Sequence, residues 1–269
     1  MSGLPLLTAR GRTLPEAWER SLVALWTMGL ATRSQHAQKG NEGTLDCTMV
    51  VEIEEPFAEP RIHRCLPDGL EGLWVYVEEV LAGVHDHWID PEAGQWSYTY
   101  HKRLTNYRGV DQIQGIVDVL AGAPHSRRAQ GITWMPGEDL GAADPPCLQR
   151  LWFRLVPTDS GHDLVMNLHW RSRDALKAAF MNLFALTELQ RKVAGALSDR
   201  LDAPVACGRV VDVSDSYHLY LGYGEEWRAF WRSLSERAFE QRTFTTEFAE
   251  PLFAEARERL RREAEGRRE

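Results

Sequence analysis

Apolar residues fall at helical spacing after Thr13, at Trp18, Leu22, Leu25 and Trp26. That spacing predicts an amphipathic helix. Thr13 stands where a cap belongs, Glu16 completes a capping box, Pro15 fits the first turn and Gly29 marks the stop. Residues 48–53 read as a strand ended by Pro56, and 70–81 and 111–120 as helices. Beyond Arg128 the period changes to two. Residues 129–134, 148–156, 164–170 and 210–220 read as strands. In the second of these, Leu151, Phe153 and Leu155 alternate with Arg150, Trp152 and Arg154. Residues 174–197 predict a long helix whose centre, 178–186, is apolar almost throughout, so it should be buried. Residues 225–239 predict an amphipathic helix. Residues 255–269 alternate both charge signs and read as a solvated helix. There is no internal repeat and no clear linker. Helices mixed with well-separated strands predict one α+β domain over 1–269.

Composition narrows the function. Of 269 residues, 43% are hydrophobic and 26% charged, enough for a sizeable core. No apolar run approaches the roughly 20 residues of a membrane span. Residues 1–12 lack the apolar stretch of a signal peptide, which predicts a cytoplasmic protein. The four cysteines, Cys47, Cys65, Cys147 and Cys207, form no CxxC pair, so neither a zinc site nor a redox motif is expected. They should be free thiols in a reducing compartment. The formal net charge of −8 disfavours a general nucleic-acid surface but permits a local phosphate pocket.

Single residues say little about chemistry. A lone cysteine such as Cys147 is by default a small buried hydrophobe. Pro145-Pro146 before it would fix the backbone and present the side chain from a rigid turn. Arg127-Arg128 reads either as a phosphate fork or as a solvated surface pair. Arg171-Ser172, following a strand, is a second candidate anion contact.

The order of these pieces is more specific. Ser126-Arg127-Arg128, Trp134, Pro145-Pro146-Cys147, Arg171-Ser172-Arg173-Asp174, Asn182 and His218-Leu219-Tyr220 resemble the motif series of the thymidylate synthase superfamily. The spacings from 126 to 147 and from 171 to 182 fit without gaps. The resemblance is clearest over 110–222. Upstream, Glu71-Gly72-Leu73-Trp74 resembles the family's ELLW helix, His85-Asp86-His87-Trp88 its WDxW segment, and 98–103 its YGxQWR loop.

The resemblance implies a central mixed sheet packed by helices, a homodimer, and a pyrimidine nucleoside monophosphate and 5,10-methylenetetrahydrofolate as partners. Cys147 would add to C6 of the pyrimidine, because C5 alone is too weak a nucleophile. Arg171 would lower its pKa and bind the nucleotide phosphate beside Ser172. Arg127 and Arg128 would reach the phosphate of the partner subunit, joined by an N-terminal arginine, for which Arg33 is the candidate. Asn182 would pair with a uracil or a cytosine edge, since its amide both donates and accepts. His218 and Tyr220 would bind the sugar. Asp174 would meet the pterin and Trp88 pack on it. Glu71 would manage proton transfers through water, with Tyr98 nearby.

Departures from the family pattern bear on the product. Leu148 and Trp152 stand where histidine and glutamine are usual, which argues against standard dUMP recognition. His85 replaces a tryptophan, and Asp215-Ser216-Tyr217-His218 replaces GDxH. Arg267-Arg268-Glu269 stands in place of a short apolar segment that closes over the folate. In the family, a methylene intermediate is shielded from water and then reduced. A histidine in that wall would hold or polarise water, and water adding to the methylene gives a hydroxymethyl product. Residues 13–19 are similar to CMP hydroxymethylases of nucleoside-antibiotic biosynthesis. The expectation is a CMP or dCMP 5-hydroxymethylase. The alternatives are a divergent thymidylate synthase acting on dUMP and a non-catalytic nucleotide-binding dimer. Cys147 with Arg171 speaks against the last. Ribose and deoxyribose both remain open.

Overall fold

The computed structural model of the chain describes residues 3–33 and 43–267. Strand β1 (Leu6–Gly11) leads into helix α1 (Leu14–Met28). The Thr13 hydroxyl caps the helix by accepting from Glu16 N, 3.4 Å away. The Glu16 carboxylate reaches back to the Arg12 N–H at 2.6 Å, one residue earlier than a capping box places it. Gly29 ends the helix in an extended conformation and sends the chain into β2 (Leu30–Arg33). There follow β3 (Gly43–Ile53), β4 (Ile62–His63), α2 (Gly69–Ala82), α3 (Tyr100–Thr105), α4 (Gln112–Gly122), β5 (Gln130–Ile132) and α5 (Pro136–Asp139). Next come β6 (Leu148–Thr158), β7 (Gly161–Trp170), β8 (Arg173–Asp174), α6 (Ala179–Leu201) and β9 (Val205–Tyr220). The described chain closes with α7 (Gly224–Glu236), β10 (Thr243–Phe244) and α8 (Thr246–Gly266).

The main sheet runs β1-β3-β9-β7-β6-β5, with β2 on β3 and β8 on β9. It is mixed. β1 lies parallel to β3, β7 and β8 parallel to β9, and the remaining pairs are antiparallel. The expected α+β class with a mixed sheet packed by helices is what the chain adopts. One sheet face carries the core, with Met49, Val51, Phe153, Met166, Leu168 and Val210 all buried. On it lie α1, α4 and α6, and α2 packs outside α6 with α8 beyond. This explains the apolar centre of α6. Sheet on one side and α2 on the other bury Phe180, Leu183, Phe184 and Leu186. The opposite sheet face, with Val50, Val165, Val211 and Val213, is only half buried.

Three expectations need correction. The long helix begins at Ala179, not at 174. Arg173-Asp174 instead pairs with Tyr217 and His218 as a short parallel strand, so tertiary pairing overrides a helical sequence. Strand 129–134 contracts to Gln130–Ile132. The final helix begins at Thr246 and is not merely solvated. Ala249, Phe253, Ala256 and Leu260, spaced four, three and four, form a buried stripe. Phe253 packs against Trp74 in a tilted ring pair at 4.6 Å and approaches Phe184 at 6.2 Å. Sequence reading also missed β1 and β2. Among the described residues no helix is long and apolar enough to cross a membrane.

Phe253 tests the role of α8. Its ring is fully buried, so Phe253→Ala should cost about 3–5 kcal/mol of stability. Urea unfolding followed by tryptophan fluorescence measures it. A loss below about 1 kcal/mol would mean that α8 is not part of the core.

Candidate active site

Cys147 sits just before β6, at the end of a loop that several groups hold in place. Arg171 does most of this. Its backbone N–H donates to the Cys147 carbonyl at 2.9 Å, its Nε to Pro146 O at 3.0 Å and its Nη2 to Pro145 O at 2.5 Å. The Leu148 N–H donates to the Tyr100 hydroxyl at 3.2 Å, and the Thr133 hydroxyl donates to Leu148 O. Buried Arg103 grips the Asp139 carboxylate with two N–H groups, at 2.8 and 3.1 Å, fixing α5 at the start of the loop. The two prolines and these bonds give the thiol a fixed direction.

Arg171-Ser172 separates β7 from β8, both of which pair with β9. A buried ion pair pins that break. The Arg173 guanidinium meets the Asp212 carboxylate, and each side chain is 1% exposed. The Trp170 indole donates to the second Asp212 oxygen at 2.7 Å, and Arg173 Nη2 to Ala179 O at 2.8 Å. Arg173 Nε, also buried, has no partner among the described residues.

Strand β9 supplies the next wall through a bulge. Met49 pairs with Ser214 and Cys47 with Tyr217, so Thr48 of β3 faces two residues of β9, Asp215 and Ser216. Before the bulge the even positions Val210, Asp212 and Ser214 are buried; after it the odd positions Tyr217 and Leu219 are. His218 and Tyr220 are thereby turned toward the cleft. From α6, Asn182 donates to the Tyr76 hydroxyl of α2 at 2.6 Å. The result is a cleft of about 370 Å³. It brings together seven residues singled out by sequence: Cys147, Arg171, Ser172, Asp174, Asn182, His218 and Tyr220. The carboxylate of Asp174 already has local work. It accepts from Leu176 N at 3.0 Å, Lys177 N at 2.8 Å and the Tyr223 hydroxyl at 2.6 Å.

A second cavity of about 280 Å³ adjoins this cleft, sharing Tyr76, Tyr100 and Asp144 with it. Tyr98 lines the second cavity, with Glu79 and Trp96. His85 lies behind Glu79, its Nδ1 2.9 Å from the carboxylate. Trp88, 40% exposed, stacks on His85 at 3.7 Å and meets the edge of Trp96 at 5.0 Å.

Four sequence candidates lie elsewhere. Glu71 is exposed on the face of α2 that meets α8 and forms an ion pair with Arg259 at 2.7 Å, so it does not reach the cleft. Helix phase is the reason. Tyr76 and Glu79, one turn apart, take the cleft side. Arg127 and Arg128 are exposed in the turn before β5, and Arg33 is exposed at the end of β2; none lines the cleft. Tyr76, Tyr100, Asp144 and Glu79 were missed. Asp144 had a signal, its place directly before Pro145-Pro146-Cys147. Glu79 had only its helical offset from Tyr76.

The electrostatics of the thiol differ from the sequence expectation. Burial pushes the Cys147 pKa up, and this outweighs the Arg171 and Arg173 guanidinium groups, which pull it down; Asp144 adds to the rise. The free site therefore stores Cys147 as a thiol. All four cysteines are unpaired, and no cluster of metal-ligating side chains occurs among the described residues.

Comparison with known proteins comes to the same region. The chain matches the family model described as thymidylate synthase over residues 75–252. It is 30% identical over 192 residues to a "Putative thymidylate synthase" of Methanopyrus kandleri, covering 71% of this chain and 85% of that one. A protein of the same name from Methanosarcina acetivorans is 28% identical over 212 residues, covering 78% and 88%. Another, from Methanothermobacter marburgensis, is 30% identical over 217 residues, covering 77% and 90%.

The thiol gives a direct test. Alkylation of Cys147 by iodoacetamide, followed by peptide mass spectrometry, should rise with pH to a midpoint above the usual thiol range, because only the thiolate reacts. Arg171→Ala removes the main charge that favours thiolate, so the midpoint should move higher still. A midpoint below the usual range would contradict the burial argument.

Proposed function

The chain belongs to the thymidylate synthase family, and on that premise we propose that it is a homodimeric, folate-dependent C5-hydroxymethylase of a pyrimidine nucleoside monophosphate, CMP or dCMP. The observation that carries the reading is Cys147 opening into one cleft with Arg171, Ser172, Asn182 and His218. A nucleophile, an anion site, an amide for the base and a polar wall for the sugar are what such a substrate needs.

Arg171 offsets part of the cost of ionising the buried Cys147 thiol, whose proton passes to solvent, and the thiolate bonds to C6. That makes C5 electron-rich. Arg171 keeps the thiol aimed, because two of its guanidinium nitrogens hold the prolines, and it leaves Nη1 to face phosphate. Asn182 orients the ring while Tyr76 holds its amide. The second cavity has aromatic edges, Trp96 and Tyr98, that suit a flat pterin. Methylenetetrahydrofolate bound there supplies the one-carbon unit. His85, which stands behind Glu79 where the family has tryptophan, supports hydration of the resulting methylene group through that carboxylate. This favours the hydroxymethyl product, as does the similarity of residues 13–19 to the CMP hydroxymethylase of mildiomycin biosynthesis. The half-buried outer sheet face offers a dimer surface, and exposed Arg127 and Arg128 are free to serve a partner's cleft.

A second reading, methylation of dUMP, is favoured by the names of the archaeal relatives and by Asn182, whose amide also fits uracil. Products decide. Incubation with CMP, dCMP or dUMP and the folate should give a hydroxymethyl nucleotide and tetrahydrofolate by chromatography, with no near-ultraviolet gain from dihydrofolate. A methylated nucleotide with stoichiometric dihydrofolate would establish the second reading instead. Cys147→Ala should still bind nucleotide in calorimetry but give no turnover.

A further inference from the structure

We propose that Glu79 is the catalytic base that activates water for the final addition, and that His85 is the residue that positions it. The inference rests on the hydroxymethylase reading above. It moves the acid–base role from Glu71, where motif order put it, to a carboxylate two turns further along α2.

Four observations converge on Glu79. It lines the second cavity, which adjoins the Cys147 cleft at Tyr76, Tyr100 and Asp144. Its side chain is 16% exposed, whereas that of Glu71 is 52% exposed and ion-paired to Arg259. One oxygen of Glu79 is held by the His85 ring at 2.9 Å; no other hydrogen bond competes for the carboxylate among the described residues. His85 is itself fixed by its stack on Trp88 at 3.7 Å and by the turn at Gly83. Gly83 has φ +65°, and an added Cβ would fall 2.2 Å from the His101 ring, so the chain reverses there as only glycine allows. This reversal brings His85 back to the helix it has just left. A carboxylate anchored through one oxygen in the lining of a cavity is arranged to take a proton from water.

The titration behaviour agrees. Burial raises the Glu79 pKa, as does nearby Asp86, while the hydrogen bond and charge of His85 lower it. Asp86 is itself occupied by the Thr99 hydroxyl and by His101, at 2.7 Å from the latter. Tyr76, Tyr98, Tyr100 and Asp144 are the other titratable groups around the cavity. The three tyrosines are half-buried, and loss of water around them raises their pKa values and holds them protonated.

The step balances without a redox partner. A water oxygen bonds to the exocyclic methylene carbon while Glu79 takes the water proton. The electrons of the methylene double bond move to C5 and on to the C4 substituent. They return to form the C5–C6 double bond as the C6–sulfur bond breaks and Cys147 leaves as thiolate. The proton on Glu79 then passes to solvent.

Three variants test the assignment in the full-length protein, with product formation and exchange of the C5 hydrogen in deuterated water as readouts. The exchange needs Cys147 and nucleotide but no folate. Glu79→Gln should lower hydroxymethyl product by at least about 100-fold while exchange continues. Glu71→Gln should keep most of the product. For Glu79 as base, activity falls as pH drops through its raised pKa. His85→Phe leaves burial less opposed, so that acid limb should move to higher pH, and His85→Gln, which restores a donor, should move it back. Retention of product by Glu79→Gln overturns the inference while leaving the hydroxymethylase reading intact. So does loss of exchange together with product, which would place Glu79 before the one-carbon unit is attached. A wild-type protein that yields methylated nucleotide and dihydrofolate overturns both.

Discussion

The cleft depends on two charges taken out of water. Arg173 and Asp212 are each 1% exposed, and burying either alone would cost several kcal/mol. Geometry offsets the cost. The Trp170 indole satisfies the second Asp212 oxygen, Arg173 reaches the Ala179 carbonyl, and its guanidinium lies 4.3 Å from the centre of the Trp170 ring. Burial still holds the Asp212 pKa up, against the pull of Arg173. The bonds join the end of β7, all of β8, the middle of β9 and the first turn of α6. The break between β7 and β8 is therefore held in place, and Arg171-Ser172 occupies it. An apolar pair could fill the space, but it could not hold four elements in fixed relation through directed hydrogen bonds.

Much of this was legible in the sequence, for identifiable reasons. α2, α4, β6, β7 and α7 follow the period of their apolar residues, because each packs one face on a neighbouring layer. α6 was legible as buried because its apolar run is wider than one face. The start of α6 was not. The stretch from Arg173 is helical by composition, and only pairing with Tyr217 and His218 makes Arg173 and Asp174 a strand. The stripe of α8 begins at Ala249 and Phe253, ahead of the charged segment, so reading that segment alone saw only its polar sides.

The site divides in the same way. Residues fixed by a loop or strand end, such as Cys147, Arg171, Ser172 and His218, keep their relation to one another because their spacing is set by hydrogen-bonded neighbours. Residues on α2 do not. A motif on a helix specifies a face only if the helix keeps its rotation, and eight residues separate Glu71 from Glu79. At about 100° and 1.5 Å per residue that leaves them about 80° apart around the helix and about 12 Å apart along it, enough for one to meet α8 and the other the cavity. The pKa of Cys147 was misjudged for a related reason. Sequence shows which arginines are near, but not how much water burial removes.

The bulge in β9 has a consequence for how this site can change through time. Substitution alters one side chain at a time, but the bulge sets the parity of everything beyond it. Removing one residue at Asp215 or Ser216 would restore strict alternation and exchange the two faces, turning Tyr217 and Leu219 to the cleft and His218 and Tyr220 into the core. Mutational drift at Val211 or Val213 is thus uncoupled from ligand contact, whereas a single codon lost at the bulge rewrites the whole wall. The sheet carries a point where length, rather than chemistry, is the inherited information.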